Sequence, residues 1–207
     1  KEFTIPKWVY GATVYQLFVD RFFEGKNVSK KIPGRNYRNW GEMPNYKRNS
    51  EGKFHNNDFF RGNISGITEK LSYFKKLGVT VLYLSPIFFS KYRYDGYAAT
   101  DFTMVDPDKG TLMDLKELHE KANAMGIHVI LDVAFNHCNS DNPIFQEALK
   151  NPNSPYRSWF YFNADGSYKY WYDLFKDMPI FNQSNPAVQE YFAGENGIVA
   201  KFGEFVD

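Results

Sequence analysis

Asp132, Asn136 and His137 close a run, Ile127-His-Val-Ile-Leu-Asp-Val-Ala-Phe-Asn-His-Cys138, that otherwise reads as a buried strand. Five of the six residues 129–134 are apolar, Asp132 being the exception. An ionised carboxylate is costly to bury without partners, so this position implies either chemistry or a tight hydrogen-bond network. Long loops after parallel strands sit at the sheet edge where ligands bind. Asp20, the Tyr94–Asp101 stretch and His137 all follow presumed strands and should converge there.

Composition narrows the chemistry. The 207 residues suit one or two domains, and 43% hydrophobic content can bury a sizeable core. With 25 Lys and Arg against 24 Asp and Glu, the net charge of +1 gives no broad field for phosphate backbones, which argues against nucleic acid. No apolar run approaches the roughly 20 residues of a membrane span. The first residues lack the apolar core of a secretory signal, and the compartment, cytoplasmic or secreted, stays open. Cys138 is the only cysteine, which excludes an internal disulfide and thiolate-rich metal sites. Aromatic residues make up 19%, more than a core of this size needs, and flat rings suit flat ligands such as the apolar face of a sugar.

The elements alternate. Val14–Val19 reads as a first strand. Ile67, Leu71, Phe74 and Leu77 recur at helical spacing, with Ser65 as N-cap and Gly78 as stop. Val79–Leu84 is a second strand ending at Ser85-Pro86. Thr111 with Asp114 predicts a capping box, Leu115, Leu118, Ala122 and Met125 a buried stripe, and Gly126 the end of that helix. Ile127–Phe135 is the third strand, with Asp132 inside it. Helix-then-strand order with short loops predicts parallel strands, hence an α/β fold. Residues 138–183, rich in Asn, Pro, Ser, Tyr and Trp, are too long for an ordinary loop and read as an inserted subdomain. A last helix begins with Asn185 as cap and Pro186 in its first turn, carries Val188, Tyr191 and Phe192, and is broken at Asn196-Gly197.

Asp132-Val-Ala-Phe-Asn-His137 resembles the first signature region of the α-amylase family of glycoside hydrolases. Met178-Pro-Ile-Phe-Asn182 resembles the Met-Pro-Lys-Leu-Asn signature of its cyclomaltodextrinase and neopullulanase branch. Asp20-Arg-Phe22, Phe59-Phe-Arg-Gly-Asn-Ile64, Ser85-Pro-Ile-Phe88, Tyr97-Ala-Ala-Thr-Asp101, Asp106-Pro107 with Gly110-Thr111, and Ser154-Pro-Tyr-Arg-Ser-Trp-Phe160 are similar too. The resemblance implies a partial (β/α)8 TIM barrel: strands 1 to 3 and their helices over residues 1–137, domain B over 138–183, and a helix returning to the barrel over 184–207 before strand four. A whole barrel takes about 250 residues. In that family the nucleophilic Asp, the acid/base Glu and a second Asp follow strands four, five and seven, so the catalytic trio is expected beyond Asp207.

What the resemblance leaves in this chain is a sugar-binding wall. His137 resembles the histidine that hydrogen-bonds the sugar next to the scissile bond, one ring nitrogen donating while a neighbour fixes the other. Tyr97 resembles the tyrosine that stacks on the same sugar. Asp132 and Asp101 are similar to carboxylates that orient neighbouring groups, with loop capping as the competing reading, and Asp95 is expected near the site. Asn136 matches an asparagine that in many amylases binds calcium between barrel and domain B, although calcium takes six to eight oxygens. No other cofactor is implied. A second calcium loop of the branch is expected to be lost, since Glu24, Lys26, Ser29, Lys30, Arg61 and Asn63 stand at its ligand positions and cations repel the ion.

Trp159, Trp171, Tyr168, Tyr170 and Tyr172 read either as sugar platforms or as the aromatic glue of a subdomain without disulfides. His55 with Asp58, and Asp114 with Glu117 and His119, bring carboxylate and imidazole near each other, the latter as a solvated helix face. The expected activity of the intact protein is retaining hydrolysis of α-glucans: starch-derived oligosaccharides, cyclodextrins or pullulan. Two alternatives remain, an inactive sugar-binding or scaffold domain and a transglycosylase, and the intact protein is compatible with a homo-oligomer.

Overall fold

Leu82 and Leu84 alternate with Val81 and Tyr83 in the middle strand of a parallel sheet, and this alternation fixes which groups face the core and which face the site. The computed structural model describes residues 4–48, 50 and 57–207. Its elements run β1 (Val14–Leu17), β2 (Asn36–Tyr37), β3 (Asp58–Phe59), α1 (Ile64–Glu69), α2 (Leu71–Lys76), β4 (Val81–Leu84), β5 (Phe88–Phe89) and β6 (Asp101–Val105). There follow α3 (Leu112–Ala124), β7 (His128–Leu131), α4 (Pro143–Lys150), β8 (Tyr170–Trp171), β9 (Phe175–Pro179), α5 (Pro186–Ala193) and α6 (Ile198–Gly203). The main sheet has the order β1-β4-β7, all parallel, with Val14 opposite Val81 and Val81 opposite His128. His55 lies outside the described residues.

Strands and helices agree with the sequence reading in order and differ at their ends. The first strand stops at Leu17, and Val19–Arg21 turns into a 3-10 helix as Val19 N donates to Ser85 Oγ at 3.3 Å. The third strand stops at Leu131, so Asp132 lies just past the strand instead of inside it. The cause is β4, which runs into Ser85-Pro86, and proline has no N–H to extend a ladder. Asn63, not Ser65, caps the first helix: its Oδ1 accepts from Gly66 N at 2.8 Å. That helix is broken at Lys70 into α1 and α2, which leaves Leu77 52% exposed instead of on the buried stripe. The Thr111–Asp114 capping box forms as read, Leu115, Leu118 and Ala122 are buried, and Gly126 ends the helix with φ 69°.

The pairs β2-β3 (parallel) and β5-β6 (antiparallel) carry segments that the sequence leaves as loops. In residues 138–183, α4 is capped by Asn142 with Pro143 in its first turn, and Phe145 packs on Phe160, Phe162 and Tyr168 at 4.9, 6.2 and 4.8 Å between ring centres. Trp159 is buried against Tyr156 and Tyr191 at 5.0 and 5.4 Å. Trp159 and Tyr168 therefore glue this segment together. Buried Cys138 donates its N–H to Pro179 O at 3.2 Å, which seats β9 on the continuation of β7. Among the described residues no helix is long and apolar enough to cross a membrane.

Beneath the loops lies a buried ion cluster. Arg35 Nη1 and Nη2 grip Asp106 at 2.8 and 2.7 Å, Nη1 also reaches Asp108 at 2.5 Å, and Nη2 and Nε donate to Ser90 O and Lys91 O at 2.9 and 3.2 Å. All five guanidinium donors are used. These two aspartates hold the charge so firmly that the guanidinium is pushed further above its ordinary range despite burial. Removing one partner of such a pair strands the other in a dry interior, so Arg35→Met is expected to lower the unfolding free energy by about 3–5 kcal/mol in a urea titration, with Arg35→Lys recovering only part.

Candidate functional site

Tyr97 and His137 meet at the C-terminal edge of the sheet. Tyr97 comes from the loop between β5 and β6 and His137 from the segment after β7, and His137 Nε2 faces Tyr97 O at 2.5 Å. The turn that delivers Tyr97 requires glycine: Gly96 has φ 80°, and a Cβ there would lie 2.2 Å from Pro86 O and 2.8 Å from Lys109 Nζ. Lys109, fully buried, donates to Pro86 O at 2.8 Å and so ties this turn to the segment carrying Asp106. Asp95 Oδ1 accepts from Tyr97 N at 3.0 Å and Asp95 Oδ2 from Arg93 Nη2 at 2.9 Å. On the other side, His137 pairs with Ile180 in an isolated bridge, so the signature around Met178 physically holds the signature around Asp132.

Asp132 occupies the middle. Its Oδ2 accepts from Tyr97 Oη at 2.5 Å, and Tyr83 on β4 lies close enough for the same carboxylate to act on its hydroxyl. Burial first, and then Asp132, raises the hydroxyl pKa of both tyrosines, so each stays neutral. The bond from Tyr97 fixes the direction of the carboxylate. Tyr83 is absent from the sequence reading, because alternation in a buried strand marks its face but not its partner.

His137 is 5% exposed, and its imidazole lies 5.0 Å from the Trp171 ring, tilted by 30°. Burial lowers its pKa below 6.5, against the carbonyl of Tyr97, which pulls it up. Nε2 faces Tyr97 O at 2.5 Å and Nδ1 faces Asn136 Oδ1 at 3.0 Å; both oxygens accept, so the single N–H of a neutral ring bonds one of them. Both ring nitrogens thus face protein oxygens, whereas the sequence reading leaves one for a ligand.

The remaining expected residues are placed differently. Asp101 opens β6 and accepts from Thr103 N and Oγ1, both at 2.7 Å, which is a local turn and not a bond to Tyr97 or His137. Asn136 contributes one side-chain oxygen, and among the described residues no group of three or more His, Cys, Asp or Glu could hold a metal ion. Phe18, which no sequence pattern singles out, is 40% exposed and lies 6.4 Å from both Tyr94 and Tyr97, while Arg21 packs 3.6 Å above the Tyr94 ring. Aromatic faces and fixed hydroxyls set around one carboxylate suit an uncharged, hydroxyl-rich ligand.

Comparison with known proteins agrees. Residues 16–196 match the α-amylase catalytic domain. The chain is 36% identical over 219 aligned residues to an amylopullulanase of Thermoanaerobacter thermohydrosulfuricus, covering 89% of this chain and 14% of that protein. It is 35% identical to a cyclomaltodextrinase of Thermoanaerobacter pseudethanolicus, with 91% and 32% covered. The solved type III pullulan hydrolase of Thermococcus kodakarensis superposes with a TM-score of 0.78 at 31% identity over 96% of this chain and 37% of that one. The chain thus spans well under half the length of these relatives, and β1, β4 and β7 with their helices are a sector of a (β/α)8 barrel. It belongs to the α-amylase family of glycoside hydrolases and lies within the catalytic domain.

Proposed function

We propose that the whole protein hydrolyses α-glucosidic bonds in starch-derived glucans, cyclodextrins or pullulan, and that these 207 residues supply the wall against which one glucosyl unit is held. The observation that carries this reading is the Tyr97–Asp132 hydrogen bond set beside His137. Asp132 anchors Tyr97 by its hydroxyl, which leaves the ring as a rigid face for the apolar side of a pyranose. His137 stays neutral and donates from Nε2; a sugar hydroxyl takes that proton's hydrogen bond when the Tyr97 carbonyl gives it up. Asp95 acts as a positioning group for the loop carrying Tyr97. Retaining hydrolysis needs two carboxyl groups about 5 Å apart, and that pair is assigned to the later barrel strands. Hydrolysis in place of transfer to an acceptor sugar is supported by the hydrolase names of the relatives.

Calcium is not required at the loop after β1. Arg61, where the family has glycine, adopts φ 65° and sends its guanidinium into the space between Ser29 O, to which it donates, Glu24 and Asp108. A fixed positive group held by a carbonyl and carboxylates does the work of an ion there.

Three outcomes follow. Tyr97→Ala and His137→Ala in the whole protein should each lower kcat/KM for maltotriose by about a hundredfold, in line with loss of a positioned group, while the 207 residues alone show no turnover; undiminished kcat/KM in both variants would sink the reading. Because folding lowers the His137 pKa, the unfolded chain binds more protons just below pH 6.5, so stability is lost as pH falls through that window. The melting temperature should therefore drop more steeply from about pH 7.5 to about pH 5.5 in the wild type than in His137→Gln. Excess chelator should leave the melting temperature unchanged, whereas Arg61→Gly should lower it.

A further inference from the structure

Lys109 lies beneath the turn that presents Tyr97. Its side chain is fully buried, and its backbone is fixed on both sides, N donating to Asp106 O and O accepting from Ile64 N, each at 2.8 Å. From that base the ammonium donates to Pro86 O at 2.8 Å. A Cβ on Gly96 would come within 2.2 Å of the same oxygen and 2.8 Å of Nζ, so turn, carbonyl and ammonium press directly on one another. Asp95 and Tyr97 flank this glycine, and Asp95 Oδ1 takes the Tyr97 N–H at 3.0 Å. Any movement at Gly96 is therefore passed to Tyr97.

Stability alone does not explain a lysine here. A buried ammonium is costly, and an apolar side chain of similar volume often serves a dry interior as well or better. Nor is it needed to pair the carboxylates around it. Asp106, Asp20 and Asp95 pull the ammonium toward its charged form, against burial, which favours the neutral amine. Yet each of the three has an arginine of its own: Asp20 pairs with Arg21, Asp106 with Arg35 at 2.7 Å, and Asp95 with Arg93 at 2.9 Å. What Lys109 supplies is the bond to Pro86 O under Gly96, and a charged donor holds a carbonyl more strongly than a neutral one. Resting on the reading of this sheet edge as a glucan site, we propose that Lys109 is a positioning residue for the sugar contact at Tyr97, its ammonium holding the Pro86 carbonyl and the Gly96 turn in the arrangement that presents the Tyr97 ring. It touches no substrate and acts through Tyr97.

The test is a double-mutant cycle in the whole protein, read as kcat and KM for maltotriose. Lys109→Met keeps the bulk and leaves each neighbouring carboxylate its arginine; it should raise KM by about tenfold with kcat within about twofold of wild type, because a displaced stacking face weakens substrate and transition state alike. Lys109→Arg, which keeps the cation, should restore most of the loss. In the Tyr97→Ala background, Lys109→Met should change KM by less than about twofold, whereas general damage to the fold would add to the loss already present. Lys75→Met removes another lysine-to-carbonyl bond, 2.8 Å to Met125 O at an exposed helix end, and should leave KM in place. If Lys109→Met does not fold, Lys109→Gln, a neutral side chain that still hydrogen-bonds, is read in its place with the same expected rise in KM. An unchanged KM, or a loss that adds in full to that of Tyr97→Ala, overturns this inference and leaves the glucan reading intact. A wild-type KM in Tyr97→Ala also overturns it. If the wild type does not hydrolyse maltotriose, the functional reading fails and the inference with it.

Discussion

The upper edge of this sheet depends on a guanidinium with no water around it. Arg35 gives its five donors to two aspartates and two carbonyls, with its side chain wholly buried and Phe59 4.4 Å beneath its plane. Through Asp106 and Asp108 it reaches the segment before α3, and through Ser90 and Lys91 the segment after β5 that leads to Tyr97. Tyr37 Oη adds a bond to Asp108 at 2.8 Å, and burial and that carboxylate push its pKa up to about 12. Isolated ion pairs of this kind recover little more than their desolvation, but they fix geometry, because every alternative arrangement leaves a charge unpaired. The loop from Glu24 to Tyr37 is long and poor in regular structure, so this fixing is what gives it one conformation.

The same logic operates at smaller scale in the site. Asp132 bonded by Tyr97, His137 held between Tyr97 O and Asn136, and Asp95 shared by Arg93 and Tyr97 N form one linked set in which each polar group orients the next. Their backbones come from two places: the loop between β5 and β6, and the segment after β7. Residues 138–183 return to this edge through Pro179 at the end of β9 and Ile180 beyond it, which pair with Cys138 and His137. This segment therefore braces the wall.

How much of this was legible depended on how local the signal was. The cap at Thr111, the stripe on α3, the stop at Gly126 and the Asn185-Pro186 start are set by neighbours within a few residues, and all are found as read. Asn142-Pro143 carries the same start signal, and α4 went unread only because the surrounding composition suggested loop. The break at Lys70 and the β5-β6 pair were not legible, since the first comes from packing and the second joins two short segments across an intervening loop. In the site, the convergence of Tyr97 and His137 followed from strand order and family resemblance together. Tyr83, Phe18 and the engagement of both His137 nitrogens depend on where side chains point in three dimensions, which periodicity does not encode.

Cys138 has a practical consequence. It sits fully buried beside the histidine, and burial raises its thiol pKa well above the ordinary value, so the reactive thiolate is suppressed at neutral pH. The native background in these 207 residues is therefore silent toward maleimides and similar electrophiles. A cysteine introduced on the surface would carry a fluorophore or spin label selectively, without first removing the natural one and leaving a cavity behind the imidazole.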